Sequence, residues 1–456
     1  MDFKENYQAG NNEPILQKEE KQAKSLKSYI AITVLIAVWA ALLTFIITYI
    51  VLQSNYEKEK DLIKEQYTQK LDAVGEFNSI IELYNALPEE ARNIDMYKKL
   101  AYIDYYYRTM YAGEINNDDL VYLIAKAYVL GAGDKFGNYY SADEFKTVMS
   151  DTQGDSVGIG VYVTSDANAN TIKISYVMKD GPANKAGLLP GDIVTHVEGE
   201  SVSDLGYYVA IDKIKGQEGT EVTITYVRDG ESYDITLVRE KITVESVIYT
   251  KHETEKDVGI IRIIEFNNST PAQFKNAIKQ AVSTDKCKSL VFDLRGNPGG
   301  TLTSVLEMLD FLLPSGTIAT VRYADGTEQK YLSDEAGEEF SALYGDDVKM
   351  AVLTNGYTAS AAELFTCALK DYEKAIVVGE KTYGKGCGQS VIPLPDGCGL
   401  AFTTFLYDPP KSANYNGVGI TPNIEKELSE EASSKNLFDL SHNEDDQLKA
   451  AVEALK

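Results

Sequence analysis

Histidine is scarce in this chain of 456 residues, which contains only three. His196 lies in a strand-like stretch, His252 in a charged segment and His442 near the C-terminus, so none has surroundings typical of a catalytic histidine. The GxSxG turn that carries the nucleophile in many serine hydrolases is also absent. The sequence therefore gives little support to Ser-His-Asp chemistry.

Cysteine and basic charge are scarce as well. The four cysteines are scattered and lack zinc-ligand spacing, so we expect no metal site. With 44 basic and 69 acidic residues, the formal net charge of -25 argues against nucleic acid as a partner. The Walker-type phosphate-loop pattern and the GxGxxG spacing are both missing, which disfavours a nucleotide site.

The stretch from 348 to 370 predicts a strand, a turn and a helix. VKMAVLT is a continuous apolar run of buried-strand length, and SAAELFTCALK has apolar residues at helical spacing. Ser360 therefore opens the helix, where unpaired backbone N–H groups and the positive end of the helix dipole can stabilise an oxyanion. A serine at this position also serves simply as an N-cap, and the pattern alone leaves both interpretations open.

Downstream, Lys385 lies between Gly384 and Gly386 in a stretch, 382–394, that contains no carboxylate. A folded environment could keep its amine desolvated and unpaired, which would lower the lysine pKa from about 10.4 towards neutrality. Such a lysine can act as a general base for a serine. Taken alone, the same residue is also typical of an exposed loop.

A third motif, SLVFDLRGNPGG (289–300), predicts a short buried strand that runs into a glycine-rich turn and then a helix. Closely spaced glycines expose backbone N–H groups at close range. The turn is therefore a candidate for binding a negatively charged oxygen.

Four motifs in order, DLRGNPGG, TASAAE, GEKTYGKGCGQ and GVGITPNIE, resemble those of the carboxy-terminal-processing proteases, the tail-specific serine peptidases of family S41 that carry a PDZ domain. The resemblance implies that Ser360 is the nucleophile and that Lys385 is the general base. It also implies that Gln389, four residues beyond the lysine, orients the lysine.

The family's oxyanion donors would correspond to the backbone N–H of Ala361 and of a glycine in the DLRGNPGG turn, for which Gly299 is our first choice and Gly300 the second. The chain departs from the family in two places. YTAS stands where GSAS often precedes the nucleophile, and Gly388 stands where a hydrophobic residue often precedes the glutamine. These departures concern the fine geometry of the site.

By this resemblance the chain is a serine-type endopeptidase with an α+β multidomain fold, whose core has a crotonase/ClpP-like β-α-β architecture. Its mechanism would use neither a metal nor a cofactor. Two other functions remain as alternatives: a catalytically silent PDZ adaptor, and a carrier of apolar small molecules on the same core. The intact Ser360, Lys385 and Gln389 argue against both alternatives.

Upstream of these motifs, VGIGVYV and the short alternating strands that follow it resemble a PDZ domain. In such domains a glycine loop offers backbone N–H groups to a peptide carboxylate, and the peptide adds as a strand beside a helix. Here the loop would contain Gly158, Ile159, Gly160 and Val161, and the helix would lie at about 207–216. We therefore expect protein substrates that are selected by exposed apolar C-termini.

Residues 29–52 contain no charged residue, proline or glycine, and they are long enough to cross about 30 Å of hydrocarbon as a helix. We interpret them as an uncleaved, single-pass membrane anchor, because no small-residue cleavage site follows the apolar run. Lysines are slightly more numerous just before the span than just after it, which mildly favours an inner N-terminus. The PDZ and peptidase domains would then lie on the extracytoplasmic side of the cell membrane.

The length exceeds one typical core, and no internal repeat is evident, so we expect several folded units. In order they are a cytoplasmic tail at 1–28, the transmembrane anchor at 29–52, a stalk and N-terminal helical region at 53–150, a PDZ domain at 151–243, the S41 peptidase core at 244–427 and a C-terminal helical segment at 428–456.

The stalk and helical region carries a dense cluster of tyrosines between 102 and 111, which we interpret as packing residues. In relatives this region helps to assemble dimers, so the resemblance leaves a homodimer open, and a solvated stalk helix with no partner is the alternative. Near the catalytic lysine, Cys387 and Cys398 lie on two runs that flank a PDG turn, which leaves a disulfide between them open.

Overall fold

The computed structural model describes residues 84, 85, 87, 89, 92–166, 171–333 and 339–456. Contacts within the chain divide it into two units, Met1–Glu114 and Ile115–Lys456. The predicted cytoplasmic tail and membrane anchor lie outside the described residues, and so does most of the predicted stalk. Within the described ranges, no helix combines the length and the apolar character that a membrane span requires.

The described region ahead of the predicted PDZ domain is mainly helical. Its elements are α1 Ile94–Met110 in the first unit, and α2 Asn117–Gly131, β1 Asn138–Tyr140 and α3 Ala142–Gln153 in the second. Ser141 and Glu144 form a reciprocal capping box at the start of α3, which satisfies two backbone N–H groups there. No residue of α1 or α2 is buried, so the tyrosines of α1 are exposed and not packed as the sequence led us to expect.

The module that follows α3 is built on an antiparallel sheet with the strand order β3-β4-β5-β7-β8, in which β6 also pairs with β5. Its elements are β2 Asp155–Gly158, β3 Val161–Asp166, β4 Thr171–Val177, α4 Pro182–Lys185, β5 Ile193–Val197, β6 Glu200–Ser201, α5 Val202–Leu205, α6 Tyr207–Ile214, β7 Glu221–Arg228, β8 Glu231–Val238 and β9 Glu240–Thr243. Alternate residues near the start of β7 are buried, as expected for a strand with one face on a core. β2 and β9 pair where the chain enters and leaves the module.

A six-stranded sheet forms the centre of the second unit, in the order β10-β11-β12-β15-β16-β19. Its strands are β10 Val247–Lys251, β11 Val258–Ile263, β12 Ser289–Asp293, β15 Lys349–Thr354, β16 Ile376–Gly379 and β19 Ile424–Glu425. β10 is antiparallel to its neighbour, whereas the other strands are parallel. Because β11, β12 and β15 are nearly continuous buried runs, the sheet is covered on both faces.

Helices cover both faces of the six-stranded sheet. The helical segments of this part are α7 Thr270–Lys279, a π-helical turn at Gln280–Thr284, α8 Leu302–Leu312, α9 Glu339–Tyr344, α10 Ala361–Asp371, α11 Glu430–Ser433 and α12 Asp446–Ala454. On one face, the rings of Phe274, Phe292 and Phe365 meet with centroids 5.4 to 5.9 Å apart. On the other face, Leu448 and Val452 of α12 pack against the sheet.

A second, antiparallel sheet has the strand order β1-β18-β13-β14, and β17 also pairs with β18. Its remaining strands are β13 Gly316–Tyr323, β14 Glu328–Ser333, β17 Cys387–Pro393 and β18 Gly399–Asp408. β1 comes from the region ahead of the PDZ-like module, and Tyr139 in β1 pairs with Leu400 in β18. The segment around β1 is therefore held against the hairpin that follows the predicted catalytic lysine.

Two of the predicted functional motifs leave the central sheet at the same edge. β12 ends at Asp293, just before the glycine-rich turn, and the parallel β15 ends at Thr354, just before the predicted nucleophile. The carboxyl ends of parallel strands form the edge where ligands bind in open α/β sheets. The fold thus brings the two motifs together.

The disulfide that the sequence left open between Cys387 and Cys398 does not fit this fold. Cys387 begins β17, whereas the backbone oxygen of Cys398 accepts from the N–H of Leu394, at the other end of the hairpin. At about 3.3 Å per residue the two cysteines are roughly 23 Å apart, and a disulfide requires Cα atoms within about 7 Å. Both cysteines are free thiols.

Candidate active site

Ser360 lies in the turn between β15 and α10, where the sequence predicts it. Its backbone has φ 59° and ψ -121°, a region that residues with side chains rarely occupy. Two hydrogen bonds fix this turn to the neighbouring glycine-rich turn: Ala359 N–H donates to the Asn297 carbonyl at 2.9 Å, and the Thr358 hydroxyl donates to the Leu294 carbonyl at 2.8 Å. The surrounding structure therefore holds a strained turn with a half-buried serine.

The glycine-rich turn lies directly against Ser360. A Cβ at Gly299 would lie 2.7 Å from the Cβ of Ser360 and 2.9 Å from the backbone nitrogen of Ala361. Gly299 also has φ 102°, which disfavours any residue with a side chain. Only glycine allows the turn to approach the start of α10 this closely.

The Gly299 N–H, which we predicted as an oxyanion donor, is already engaged. It donates to Asn297 Oδ1 at 2.8 Å, and Asn297 is fixed by its own bond from Nδ2 to the Ile263 carbonyl. By contrast, the backbone N–H groups of Ala361 and Gly300 have no hydrogen-bond partner in the described part of the chain. The choice of Gly299 therefore does not fit this structure, and Gly300 is the better second donor beside Ala361.

Glu363 joins Ser360 to the loop that carries Lys385. Its buried carboxylate accepts hydrogen bonds from the Ser360 N–H at 2.9 Å, the Thr382 hydroxyl at 2.6 Å, and the N–H groups of Gly384 and Lys385, both at 2.7 Å. Four donors offset the cost of burying a carboxylate. One side chain thus sets the spacing between the backbones of Ser360 and Lys385.

The Lys385 side chain is half-buried, and its amine lies 4.6 Å from the centre of the Phe136 ring. Burial lowers the pKa of Lys385, although nearby acidic groups, among them Asp134 and Glu363, act in the opposite direction. A lowered pKa is what a lysine needs to serve as a general base. Within the described residues, the amine and the Ser360 hydroxyl share no hydrogen bond.

Tyr407 links the serine and the lysine, and the sequence did not single it out. Its hydroxyl donates to the Lys385 carbonyl at 2.9 Å and lies 3.4 Å from Ser360 Oγ. Burial raises the pKa of Tyr407, which keeps the hydroxyl protonated. The alternation of β18 could have indicated an inward-facing tyrosine, but not a partner 47 residues away.

Gln389 lies beside a bulge that shifts the register of β17 against β18 after Gly388. Its Nε2 donates to the Thr403 hydroxyl at 3.2 Å. A Cβ at Gly388 would lie 2.1 Å from the ring of Phe405. The phenylalanine therefore occupies the space that a side chain at 388 would need, which explains this departure from the family pattern.

The glycine-rich turn rests on a buried network of ion pairs. Arg295 binds Asp293 at 2.8 Å and Asp445 at 2.7 Å, and Arg262 binds Asp293 at 2.8 Å. Burial alone would raise the pKa of Asp293, but the two arginines lower it well below its ordinary value. Because Asp445 caps α12, the network fastens the turn to the C-terminal segment.

The loop predicted to bind a peptide carboxylate links two strands of the PDZ-like module. Gly158 ends β2, Val161 begins β3, and Ile159 and Gly160 lie between them. The Ile159 carbonyl accepts from the N–H of Ala183 at 2.8 Å. The N–H groups of Ile159 and Gly160 have no partner among the described residues.

Two of the three histidines, His252 and His442, pack against each other. His252 and His442 stack with ring centroids 4.9 Å apart, and the Nδ1 of each accepts a backbone N–H. Burial lowers the pKa of both rings. In the described ranges, no cluster of histidine, cysteine and carboxylate side chains has the makings of a metal site.

Comparison with known proteins finds matches to a peptidase family and to the PDZ domain. Residues 257–426 match peptidase family S41, and residues 173–228 match the PDZ domain. A "Probable CtpA-like serine protease" of Staphylococcus saprophyticus is 36% identical over 75% of this chain and 67% of its own length. A "Carboxy-terminal-processing protease" of Bartonella bacilliformis is 36% identical over 64% of this chain and 66% of its own length.

Among solved structures, a protein of Bacteroides fragilis assigned to the S41 proteases aligns with a TM-score of 0.50 at 19% identity. The alignment covers 77% of this chain and 94% of that one. At this level of identity the similarity concerns the fold.

Proposed function

The chain belongs to peptidase family S41, the carboxy-terminal-processing serine proteases, and we propose that it hydrolyses peptide bonds with a Ser360–Lys385 dyad. The observation that carries this proposal is their common anchor, since Glu363 binds the backbone N–H of both residues. A lysine with a pKa lowered by burial, held near a serine at a helix N-terminus, can serve as the base that activates it.

The mechanism follows from these groups. The Lys385 amine turns from the Phe136 ring towards Ser360 Oγ and, in its neutral form, removes the hydroxyl proton. The serine oxygen bonds to the carbonyl carbon of the substrate, and the resulting oxyanion accepts hydrogen bonds from the N–H groups of Ala361 and Gly300. The Lys385 ammonium protonates the leaving amine as the C–N bond breaks. Water, deprotonated by the same lysine, then attacks the acyl group on Ser360. The Lys385 ammonium returns the proton to Ser360 Oγ as the acyl–oxygen bond breaks, and the acid is released.

We further propose that the PDZ domain selects substrates by their C-terminal carboxylate. The available N–H groups of Ile159 and Gly160 support this role. β3 ends the strand order of its sheet, so a peptide can pair beside it and face α6. The Tyr207 hydroxyl of α6 donates to the Val163 carbonyl at 3.3 Å, and an incoming strand would replace this bond.

An unfolded protein with an apolar C-terminus should be cleaved faster as a free acid than as a C-terminal amide. Amidation removes the carboxylate, and each charge-assisted hydrogen bond to it contributes about 1.5–3 kcal/mol. Below saturation, the loss of one such bond should lower the cleavage rate about ten-fold or more. The measurement is kcat/KM of the full chain on the two substrates, with Ser360→Ala as the inactive reference.

Gly160→Val should reproduce the effect of amidation, because φ 77° strains a valine and its side chain would cover the loop. Gly199→Val is the matched control, since Gly199 has φ 76° and open space around it in a turn of the same domain. Equal rates on the acid and the amide would contradict recognition of the C-terminus.

We also propose a place and an assembly for this enzyme. The uncharged run at 29–52 supports a membrane anchor with the PDZ and peptidase domains on the extracytoplasmic side. A homodimer is supported by the apolar side chains that two helices leave uncovered, such as Tyr102 in α1, which is 66% exposed, and Leu130 in α2, which is 78% exposed.

A further inference from the structure

The hydrogen bonds around Gln389 continue to a residue far outside the peptidase core. We propose that Asp134 and Thr403 are positioning residues that turn the Gln389 amide oxygen towards the amine of Lys385. This inference rests on the proposed dyad, and it assigns a part of the catalytic apparatus to the segment ahead of the PDZ domain.

Asp134 lies in the loop between α2 and β1, 269 residues from Thr403. Its carboxylate accepts the Thr403 N–H at 2.7 Å and the Thr403 hydroxyl at 2.9 Å, and it also accepts the Phe136 N–H at 3.0 Å. Burial would raise the pKa of Asp134, but the hydrogen bonds from these groups lower it, so the carboxylate stays ionised at working pH. Asp134 therefore acts on Thr403 as an acceptor alone.

Two contacts orient the Gln389 amide: its Nε2 donates to Cys387 Sγ at 3.7 Å and to the Thr403 hydroxyl, and the second contact depends on where the single hydroxyl proton of Thr403 points. Because Thr403 gives that proton to Asp134, its oxygen can only accept from Gln389. The amide nitrogen of Gln389 is therefore the end that faces Thr403, at 3.2 Å. The amide oxygen has no hydrogen-bond partner among the described residues, and it is left to accept an N–H from the lysine amine. Without the carboxylate, Thr403 could donate to the amide oxygen and the amide could turn over.

The same segment also contacts Lys385 itself. The Phe136 ring lies against the lysine amine, and the β1 strand that follows it pairs with β18, the strand that carries Thr403. The loop ahead of the PDZ domain thus contacts both the Lys385 amine and Thr403, the residue that bonds to Gln389. The acidic groups around Lys385 are Asp134, Glu363, Tyr383 and Cys387, and each raises the lysine pKa against the effect of burial.

Thr403→Val tests the chain of hydrogen bonds from Asp134 through Thr403 to Gln389, which we call the relay. The experiment uses the full chain, and the substitution removes the hydroxyl while it keeps the shape of the side chain. A misplaced catalytic group costs up to about 10²-fold, so we expect kcat to fall about 10- to 100-fold with KM nearly unchanged. Thr403→Ser restores the hydroxyl and should recover most of the activity. The matched control is Thr404→Val, which removes the neighbouring hydroxyl that bonds to Ser390 at 2.7 Å and that has no hydrogen bond to Gln389 in the described part of the chain.

Asp134→Asn gives a second readout that a purely structural role would not move. Removing a negative charge that raises the pKa of Lys385 should shift the rising limb of the pH–kcat/KM profile to lower pH. If Thr403→Val does not fold, Asp134→Asn should still lower kcat with KM nearly unchanged, because an amide at 134 no longer requires the Thr403 hydroxyl to donate to it. An unchanged kcat for a folded Thr403→Val, or an unshifted limb for Asp134→Asn, would overturn the relay. If instead the proposed Ser360–Lys385 dyad were wrong, Ser360→Ala would cleave the substrate at the wild-type rate, which distinguishes that outcome from failure of the relay.

Discussion

Ser360→Ala and Lys385→Ala should each lower kcat by about 10⁴-fold or more, and the double variant should be no worse than either single variant. The nucleophile and its base act as one unit, because the alkoxide does not form without a neutral amine to take its proton. The measurement is the steady-state cleavage of an unfolded protein by the three variants, each shown to be folded by thermal unfolding.

Lys381→Ala is the matched control for the lysine. Lys381 is exposed in the same loop, so its loss should leave kcat near the wild-type value. Substantial turnover by Lys385→Ala at neutral pH would remove lysine from the role of base. Additive losses in the double variant would show that the two residues act independently.

Glu363→Gln should damage both stability and catalysis. One carboxylate oxygen accepts from Thr382 and Gly384 and the other from Ser360 and Lys385, so the amide nitrogen must face two donors whichever way the side chain turns. Each unsatisfied buried donor costs about 1–3 kcal/mol, so with two such donors the free energy of unfolding should fall by about 2–6 kcal/mol. The spacing between nucleophile and base should loosen too, with kcat reduced by about 10²-fold.

Thermal or denaturant unfolding measures the first effect, and peptide cleavage at a temperature where the variant is folded measures the second. Thr366→Val is the comparison on the same helix, because it removes one neutral hydrogen bond, from the Thr366 hydroxyl to the Ala362 carbonyl. That bond contributes about 1 kcal/mol. If the Glu363→Gln enzyme were as stable and as active as Thr366→Val, the Glu363 carboxylate would not be what fixes the spacing between Ser360 and Lys385.

The local parts of the site could be predicted from the sequence because each is encoded within a dozen residues. A buried strand, a serine and an amphipathic helix predict the turn that carries Ser360, and closely spaced glycines predict the close approach at Gly299. The S-x-x-E spacing of Ser360 and Glu363 is a recognisable capping signature as well. It indicates the bond between these two residues, but not the two further backbone donors that Glu363 accepts from the lysine loop.

The parts of the site that could not be predicted depend on strand pairing between residues far apart in the sequence. Tyr407 reaches Ser360 because β18 pairs with β17, the strand that follows the lysine loop, and Asp134 reaches Thr403 because β1 pairs with β18 in the second sheet. The choice of Gly299 as a donor failed for a related reason. Whether a backbone N–H is available depends on a side chain, Asn297, whose orientation is fixed by a strand from another part of the chain.

The pH dependence of kcat/KM identifies the base most directly, because this profile reports the ionisation of the free enzyme. Only a neutral Lys385 can accept the serine proton, so the rate should be low where the amine is protonated and rise about ten-fold per pH unit up to the lysine pKa. Burial lowers the pKa of Lys385, so the midpoint should lie below the ordinary lysine value of about 10.4. The same rising limb should persist in His196→Ala and His252→Ala. A limb that disappears in either histidine variant, or a rate independent of pH across the range, would contradict a lysine base.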